Sequence, residues 1–183
     1  MKNEISVNSG EVGVCKGEGV LRASAIGSCV VVAVFIPDCR IGGMAHVMLP
    51  GASRDRDPSG RTRYAEDAMQ EMMRKMADLG TKESRIYACL IGGGNLLGDD
   101  HYSPGPEIVQ SLAEILRRMS ITPVAMEVGG TQRRSCSLDV GCGRVTYTVG
   151  DSTERTLWEA EALGSAGKER EKMSPWNARG VMS

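Results

Sequence analysis

The sequence has 183 residues, a formal net charge of −1 and an aromatic content of 4%. A chain of this length can bury a core without disulfides or metals, and it fits one domain followed by a tail. The near-neutral charge and the scarcity of aromatic rings provide neither a basic face for phosphates nor a platform for stacked bases, which argues against a nucleic-acid partner.

Neither a membrane segment nor a secretion signal is evident. The longest apolar run, residues 30–36, is far shorter than the roughly 20 residues of a transmembrane helix, and the first residues lack an apolar signal. The six cysteines are scattered, and the two histidines, His46 and His101, lie far apart. The scattered cysteines and histidines predict reduced thiols and no metal site. The short apolar run and the polar first residues predict a cytoplasmic protein that is not inserted in a membrane.

A β-hairpin is predicted near the N-terminus. Residues 30–36 are β-branched and apolar, as expected for a strand that is covered on both faces. Residues 37–40 interrupt this run, and a second apolar segment follows at residues 41–49. If the hairpin is symmetric about its turn, Val31 lies opposite His46.

Two amphipathic helices and further strands follow the hairpin. Apolar residues recur at helical spacing over residues 64–79 and again over residues 107–119. Strand patterns occupy residues 85–91, 122–128 and 144–149. The mixed order of strands and helices favours the α+β class over a wound parallel sheet.

The last part of the sequence differs in composition from the rest. From Asp151 onward the chain is polar and weakly patterned, although it contains both tryptophans, Trp158 and Trp176. The sequence predicts a folded domain over residues 1–150 and a polar tail over residues 151–183, with disorder favoured for the tail.

Cys29 and His46 are the candidates for catalysis. Cys29 follows a turn at Gly27 and Ser28, where backbone N–H groups can bind the oxygen of an attacked carbonyl. A cysteine beside valines is ordinarily a small buried hydrophobe. In the symmetric hairpin, however, His46 lies diagonal to Cys29 on the same face, with Cβ atoms about 7 Å apart. An imidazole there can accept the thiol proton and later protonate a leaving amine.

The segments that contain this pair carry a family resemblance. Residues 26–30 (IGSCV) and 41–50 (IGGMAHVMLP) closely resemble the CheD family of chemoreceptor glutamine deamidases. The similarity continues through residues 64–68, 91–94 and 129–135, and covers about residues 10–150. It implies hydrolysis of glutamine carboxamides and glutamate methyl esters on the cytoplasmic helices of methyl-accepting chemotaxis receptors. Cysteine is the implied nucleophile and histidine the implied base, without a cofactor.

The resemblance also implies a fold, a partner and a substrate groove. The implied fold is an α/β/β/α sandwich with mixed sheets, and the implied partner is a CheC-type phosphatase. Gly92 and Gly93 belong to a glycine loop that matches neither a P-loop nor a dinucleotide motif. Together with Gly27 and Ser28, they are predicted to border the substrate and oxyanion region.

The third catalytic position departs from the family pattern. Ala23 occupies the position at which the family has a threonine, so Ser24 becomes the candidate to orient His46 through a bulge in its strand. Water or a backbone carbonyl is the alternative. A second hypothesis follows from Ala23, namely a catalytically weakened CheD-like protein that binds and regulates a CheC-type phosphatase. His101 is assigned no role.

Overall fold

The computed structural model describes residues 3–54, 60–81, 85–98 and 102–161. His101 and Trp176 lie outside the described residues. The helices are α1 (Ala65–Asp78) and α2 (Gly105–Arg118), and single 3-10 turns occupy Pro37–Cys39 and Arg61–Arg63. The strands are β1 (Asn3–Ser6), β2 (Val12–Lys16), β3 (Gly19–Ile26), β4 (Val30–Ile36), β5 (Ile41–Val47), β6 (Tyr87–Gly92), β7 (Pro123–Val128), β8 (Arg134–Asp139), β9 (Arg144–Val149) and β10 (Arg155–Glu159).

The strands form two mixed sheets. The first sheet has the order β1-β3-β8-β9-β10, and the second has the order β2-β5-β4-β6-β7. Strands β1 and β3 are parallel, as are β6 and β7, whereas the other neighbours are antiparallel. The α+β class with mixed sheets is therefore confirmed.

The predicted hairpin is formed by β4 and β5. Its register pairs Val31 with His46, which confirms the predicted alignment. Every residue of both strands is buried, in agreement with the apolar sequence of β4. The connection is a 3-10 turn at Pro37–Cys39 followed by Arg40, whose φ of 46° is left-handed and reverses the chain.

Both described helices cover the second sheet. Methionines 69, 72 and 76 of α1 and apolar residues of α2 pack against β4 and β5 in one core. The described layers therefore run in the order helices, sheet, sheet, and the second helical layer of the implied α/β/β/α sandwich has no counterpart among these residues. No helix in the described ranges is long and apolar enough to cross a membrane.

A second core lies between the two sheets. It contains Val31, Ala33 and Met44 from the second sheet, facing residues such as Leu21 and Leu138 from the first. Because successive strand residues point to opposite faces, residues 29 and 46 belong to this inter-sheet face. The candidate site therefore lies between the sheets rather than under the helices.

Strand β10 lies in the segment predicted as a polar tail. It pairs antiparallel with β9 at the edge of the first sheet. The Trp158 ring lies 4.9 Å from the Tyr87 ring and 6.5 Å from the Phe35 ring, measured between centroids. Most of β10 is exposed or half-buried, which explains its polar sequence. The ordered sheet thus continues beyond residue 150.

Replacement of Trp158 should measure how much this edge strand contributes to stability. We expect Trp158→Ala to lower the free energy of unfolding by about 2 kcal/mol, because a partly buried aromatic side chain loses its contacts with two rings. Urea unfolding measures the change. The exposed neighbour Thr156 provides the control Thr156→Ala, which should stay within about 0.5 kcal/mol of wild type. Equal effects of the two substitutions would contradict docking of Trp158.

Candidate active site

Cys29 lies in a turn that the glycine loop holds in place. The amide of Gly93 donates to the Cys29 carbonyl at 2.7 Å, and the amide of Gly94 donates to the Gly27 carbonyl at 2.9 Å. Gly92 has a φ of 117°, and a Cβ there would collide with the Cys29 carbonyl oxygen. A side chain at position 92 would therefore displace the candidate nucleophile.

The candidate donors for an oxyanion are backbone amides of the turn that contains Cys29. The Gly93 amide is already bonded to Cys29, so the predicted oxyanion region loses this donor. The amides of Ser28 and Cys29 make no hydrogen bond to another residue in the described ranges. Unpaired amides beside a nucleophile can stabilise the negative oxygen of a tetrahedral intermediate. Gly92 and Gly93 lie against the turn that contains Gly27, Ser28 and Cys29, and the substrate and oxyanion role of these residues stays a prediction.

His46 is fixed by the connection between β1 and β2. Its backbone carbonyl accepts from the Gly10 amide at 2.7 Å, and its backbone amide donates to the Glu11 carbonyl at 3.0 Å. Its ring nitrogen Nδ1 lies 3.3 Å from the Val7 carbonyl oxygen. A carbonyl only accepts, so this contact favours a proton on Nδ1 and leaves Nε2 as the basic nitrogen. Nε2 is buried and has no hydrogen-bond partner within the described structure.

The hairpin brings Cys29 and His46 to the same face. Since Val31 pairs with His46, Cys29 lies diagonal to His46, two residues before Val31. Cys29 packs against the inter-sheet core and is half-buried, whereas His46 is 1% exposed. The arrangement places a thiol near solvent and a candidate base behind it.

Burial keeps both side chains neutral at neutral pH. It raises the pKa of the Cys29 thiol above 9.0, although a hydrogen bond with the Ser9 hydroxyl acts in the opposite direction. Burial also lowers the pKa of His46 below 6.5, against opposing effects of the Val7 carbonyl and the Glu11 carboxylate. The pair is therefore a protonated thiol and an unprotonated imidazole, and the thiol needs the base in order to attack.

Ser24 and Ala23 lie beside a bulge in β3. The pairing of β3 with β8 shifts register between Ala23 and Ile26, and Ala25 has a left-handed φ of 55°. Ser24 is exposed, and its side chain makes no hydrogen bond with the other described residues. Ala23 is 1% exposed and has no polar side-chain atom. Neither side chain is seen to orient the His46 ring.

The observed orienting contact comes from the Val7 carbonyl. A backbone carbonyl was one of the groups expected to orient the ring, but the sequence does not identify it, because any residue type supplies a carbonyl. Val7 precedes β2, in a segment without a motif. Only the fold shows that this segment reaches the hairpin.

The predicted role of Ser24 can be tested directly. Because the Val7 carbonyl already contacts Nδ1 of His46, we expect Ser24→Ala to retain turnover within about twofold of wild type. Glutamine deamidation, measured as ammonia release, provides the comparison. A loss of tenfold or more would instead assign the orienting role to Ser24.

A cleft of about 540 Å³ opens at Ser28, the residue before Cys29. Its wall contains residues that immediately adjoin the turn and others from two loops, namely Ser28, Gly94, Asn95, Leu96, Leu97, Tyr102, Ser103, Pro104, Thr131 and Arg133. Leu97 is 73% exposed and Tyr102 is 75% exposed. The cleft thus offers apolar side chains and one guanidinium group next to the turn that contains Cys29. No cluster of metal-ligating side chains occurs among the described residues.

Comparison with known proteins identifies the family to which this chain belongs. A family model described as CheD chemotactic sensory transduction matches residues 48–149. A relative from Archaeoglobus fulgidus, named "Probable chemoreceptor glutamine deamidase CheD", is 35% identical over 82% of this chain and 97% of its own length. The chain belongs to the CheD family. Another CheD relative, the "Chemoreceptor glutamine deamidase CheD" of Thermotoga maritima, is 30% identical over 79% of this chain and 90% of its own length.

The CheD family model and the candidate site cover different parts of the chain. The match begins at residue 48, just after His46, and includes the glycine loop and much of the cleft. Cys29 and His46 precede it. Their roles therefore rest on the hairpin register, the buried imidazole and the contacts of the turn.

Proposed function

We propose that this protein is a chemoreceptor glutamine deamidase, a protein-glutamine glutaminase with a cysteine nucleophile. The observation that carries the proposal is the hairpin register, which places Cys29 and His46 on one face next to a cleft lined by Ser28, in a chain of the CheD family. The names of its relatives support the choice of substrate. Glutamine side chains on the cytoplasmic helices of methyl-accepting chemotaxis receptors are the proposed targets, so the reaction takes place in the cytoplasm.

The first half of the reaction forms a thioester. Nε2 of His46 accepts the proton of the Cys29 thiol while the sulfur attacks the carboxamide carbon of glutamine. The carbonyl oxygen becomes an oxyanion, and the free amides of Ser28 and Cys29 stabilise it. When the tetrahedral intermediate collapses, His46 returns the proton to the leaving nitrogen. Ammonia departs, and the side-chain acyl group remains on Cys29 as a γ-glutamyl thioester.

The second half of the reaction releases glutamate. A water molecule gives its proton to His46 and attacks the thioester carbon, and the same amides bind the new oxyanion. Collapse of this intermediate breaks the bond between carbon and sulfur, and the thiolate recovers the proton from His46. A glutamate methyl ester can follow the same course with methanol as the leaving group. Neither half needs a cofactor.

The cleft suits a protein side chain presented from a helix. Exposed Leu97 and Tyr102 can contact apolar side chains next to the target glutamine, and Arg133 can attract a neighbouring carboxylate. A glutamine extends far enough from its helix to bring its carboxamide to the turn at Ser28. These features support a receptor helix rather than free glutamine as substrate.

The hypothesis of a weakened enzyme loses its main premise. It rested on Ala23, which cannot orient the base, but the Val7 carbonyl contacts Nδ1 of His46 independently of position 23. Deamidation is therefore the better proposal. A CheC-type phosphatase remains a predicted partner, and sedimentation of a mixture of the two purified proteins would test it.

The deamidase proposal is tested with purified cytoplasmic fragments of receptors. Incubation with the protein should release ammonia and convert specific glutamines to glutamates, which mass spectrometry of peptides identifies. Free glutamine at the same concentration should release far less ammonia. A folded protein that modifies no receptor fragment from its own organism would contradict the proposal.

A further inference from the structure

A buried ion pair lies next to the candidate site and takes no part in the proposed reaction. Arg134 in β8 is 5% exposed, and its Nη2 lies 3.1 Å from Oε1 of Glu127 in β7, so the pair joins the first sheet to the second. The strand register aligns Arg134 with Ile26, the residue before the turn that contains Cys29. It aligns Glu127 with Ile91, the residue before the glycines of the glycine loop. The pair therefore connects the sheets at the level of both loops.

The same guanidinium supports the loop of residues 129–133, which connects β7 to β8. Nη1 of Arg134 donates to the Gln132 carbonyl at 3.3 Å. A Cβ at Gly130 would lie 3.4 Å from Nη2 of Arg134, so the backbone of the loop passes close to the guanidinium. Residues 130–133 are exposed. Arg134 is thus a buried support beneath an exposed loop.

The 129–133 loop forms one wall of the cleft and contacts the glycine loop. Thr131 and Arg133 line the cleft. The Gly130 carbonyl accepts a hydrogen bond of 2.8 Å from the amide of Asn95, which lines the cleft as well. A shift of the 129–133 loop would therefore change the shape of the cleft on two sides.

We propose that Arg134, paired with Glu127, is a positioning residue that holds the 129–133 loop as a wall of the substrate cleft. As a part of turnover this role rests on the proposed deamidase function. A buried guanidinium is costly even when it is paired, and Nε of Arg134 has no hydrogen-bond partner within the described residues. The pair therefore contributes little to overall stability, and its directed hydrogen bonds fix the geometry of the loop instead.

The expected effect concerns substrate binding rather than the chemical step. Cys29 and His46 are placed by the hairpin, so a displaced 129–133 loop leaves the reacting pair where it is. The loop carries Arg133, whose guanidinium is proposed to attract a carboxylate of the receptor. We expect loss of the ion pair to raise KM for a receptor fragment roughly threefold to tenfold, with kcat within about twofold of wild type.

Hydrogen exchange of single amides, measured by NMR, tests the proposal without any receptor. Glu127→Gln is nearly isosteric and removes the negative charge of the pair. We expect the Asn95 amide, which bonds to the 129–133 loop, to exchange roughly threefold to tenfold faster in this variant. The Val140 amide donates to the Gly19 carbonyl at 2.9 Å, at the end of β8 away from Arg134, and should keep its wild-type rate.

A second ion pair of the first sheet provides the matched control. Glu159 and Arg144 lie 2.9 Å apart on neighbouring strands and are both exposed. Glu159→Gln should therefore leave the exchange of Asn95 and the KM as they are in wild type. Arg134→Met removes the guanidinium itself and should exceed the effect of Glu127→Gln. If Arg134→Met does not fold, the comparison of Glu127→Gln with Glu159→Gln decides.

Equal acceleration at Asn95 and Val140 in Glu127→Gln would overturn the proposal, because the pair would then stabilise the sheet as a whole. Unchanged exchange at Asn95, or a lower kcat at unchanged KM, would overturn it too. If wild-type protein deamidates no receptor fragment but the Asn95 difference persists, the function fails while the positioning of the loop stands. An active wild type with unchanged Asn95 exchange in Glu127→Gln refutes the role of Arg134 alone.

Discussion

Cys29→Ala is expected to reduce deamidation by at least about 10⁴-fold, because no other group can form the thioester. The fold should survive, since Cys29 is half-buried and alanine leaves the hydrogen bonds of its backbone intact. We expect the free energy of unfolding to change by no more than about 1 kcal/mol. Ammonia release from a receptor fragment measures the first effect, and urea unfolding measures the second.

A matched cysteine provides the control for this substitution. Cys142 is exposed and lies in the turn between β8 and β9, away from the hairpin, so Cys142→Ala should retain full activity. Cys89 and Cys136 are unsuitable as controls because both are buried in the inter-sheet core. Undiminished ammonia release by Cys29→Ala would refute the cysteine mechanism, whatever the behaviour of Cys142→Ala.

The hairpin could be predicted because its sequence specifies it at several levels. The run of β4 is apolar and β-branched, the break at residues 37–40 is short, and the second run of β5 is equally apolar. Both faces of these strands are buried, so burial alone does not exclude a one-residue slip, and the length of the turn is what fixes the register of the hairpin. That register places Cys29 and His46 on one face, and therefore half of the candidate site follows from the sequence.

The surroundings of the pair could not be predicted in the same way. The contact to Nδ1 of His46 comes from a backbone carbonyl, which any residue at position 7 would provide. The bulge in β3 depends on the left-handed conformation of Ala25, a residue that gives no turn signal. Both features arise from long-range pairing of strands, which local sequence patterns do not encode.

The sequence predicts where the glycine loop lies but not which contacts its glycines make. The sequence assigns Gly92 and Gly93 to the border of the substrate groove, and they do lie beside Cys29. Their main effect, however, is to bring one backbone against another: the amide of Gly93 bonds to Cys29, and Gly92 leaves room for that carbonyl. Glycines in a loop signal close approach of some group, and only the fold identifies the group.

The second large effect is expected for His46→Gln. Glutamine has a similar volume, and its amide can donate to the Val7 carbonyl, so the buried position should keep a hydrogen-bonded side chain. It cannot accept a proton at neutral pH, however. We expect deamidation to fall by about 10²- to 10⁴-fold, the usual contribution of a general base. His46→Ala would lose the base too, but it would also leave a cavity and an unpaired carbonyl.

The pH dependence of Cys29 alkylation distinguishes loss of the base from loss of structure. In wild type, the unprotonated imidazole assists the thiol, and burial lowers the pKa of His46 below 6.5. Assisted alkylation should therefore persist through neutral pH and decline only as the pH falls below 6.5 and the ring becomes protonated. Without the base, reaction requires the free thiolate, and burial raises the pKa of Cys29 above 9.0. The pH midpoint of Cys29 alkylation should consequently lie below neutrality in the wild type and above neutrality in His46→Gln. A folded variant with an unchanged profile would show that His46 does not activate Cys29.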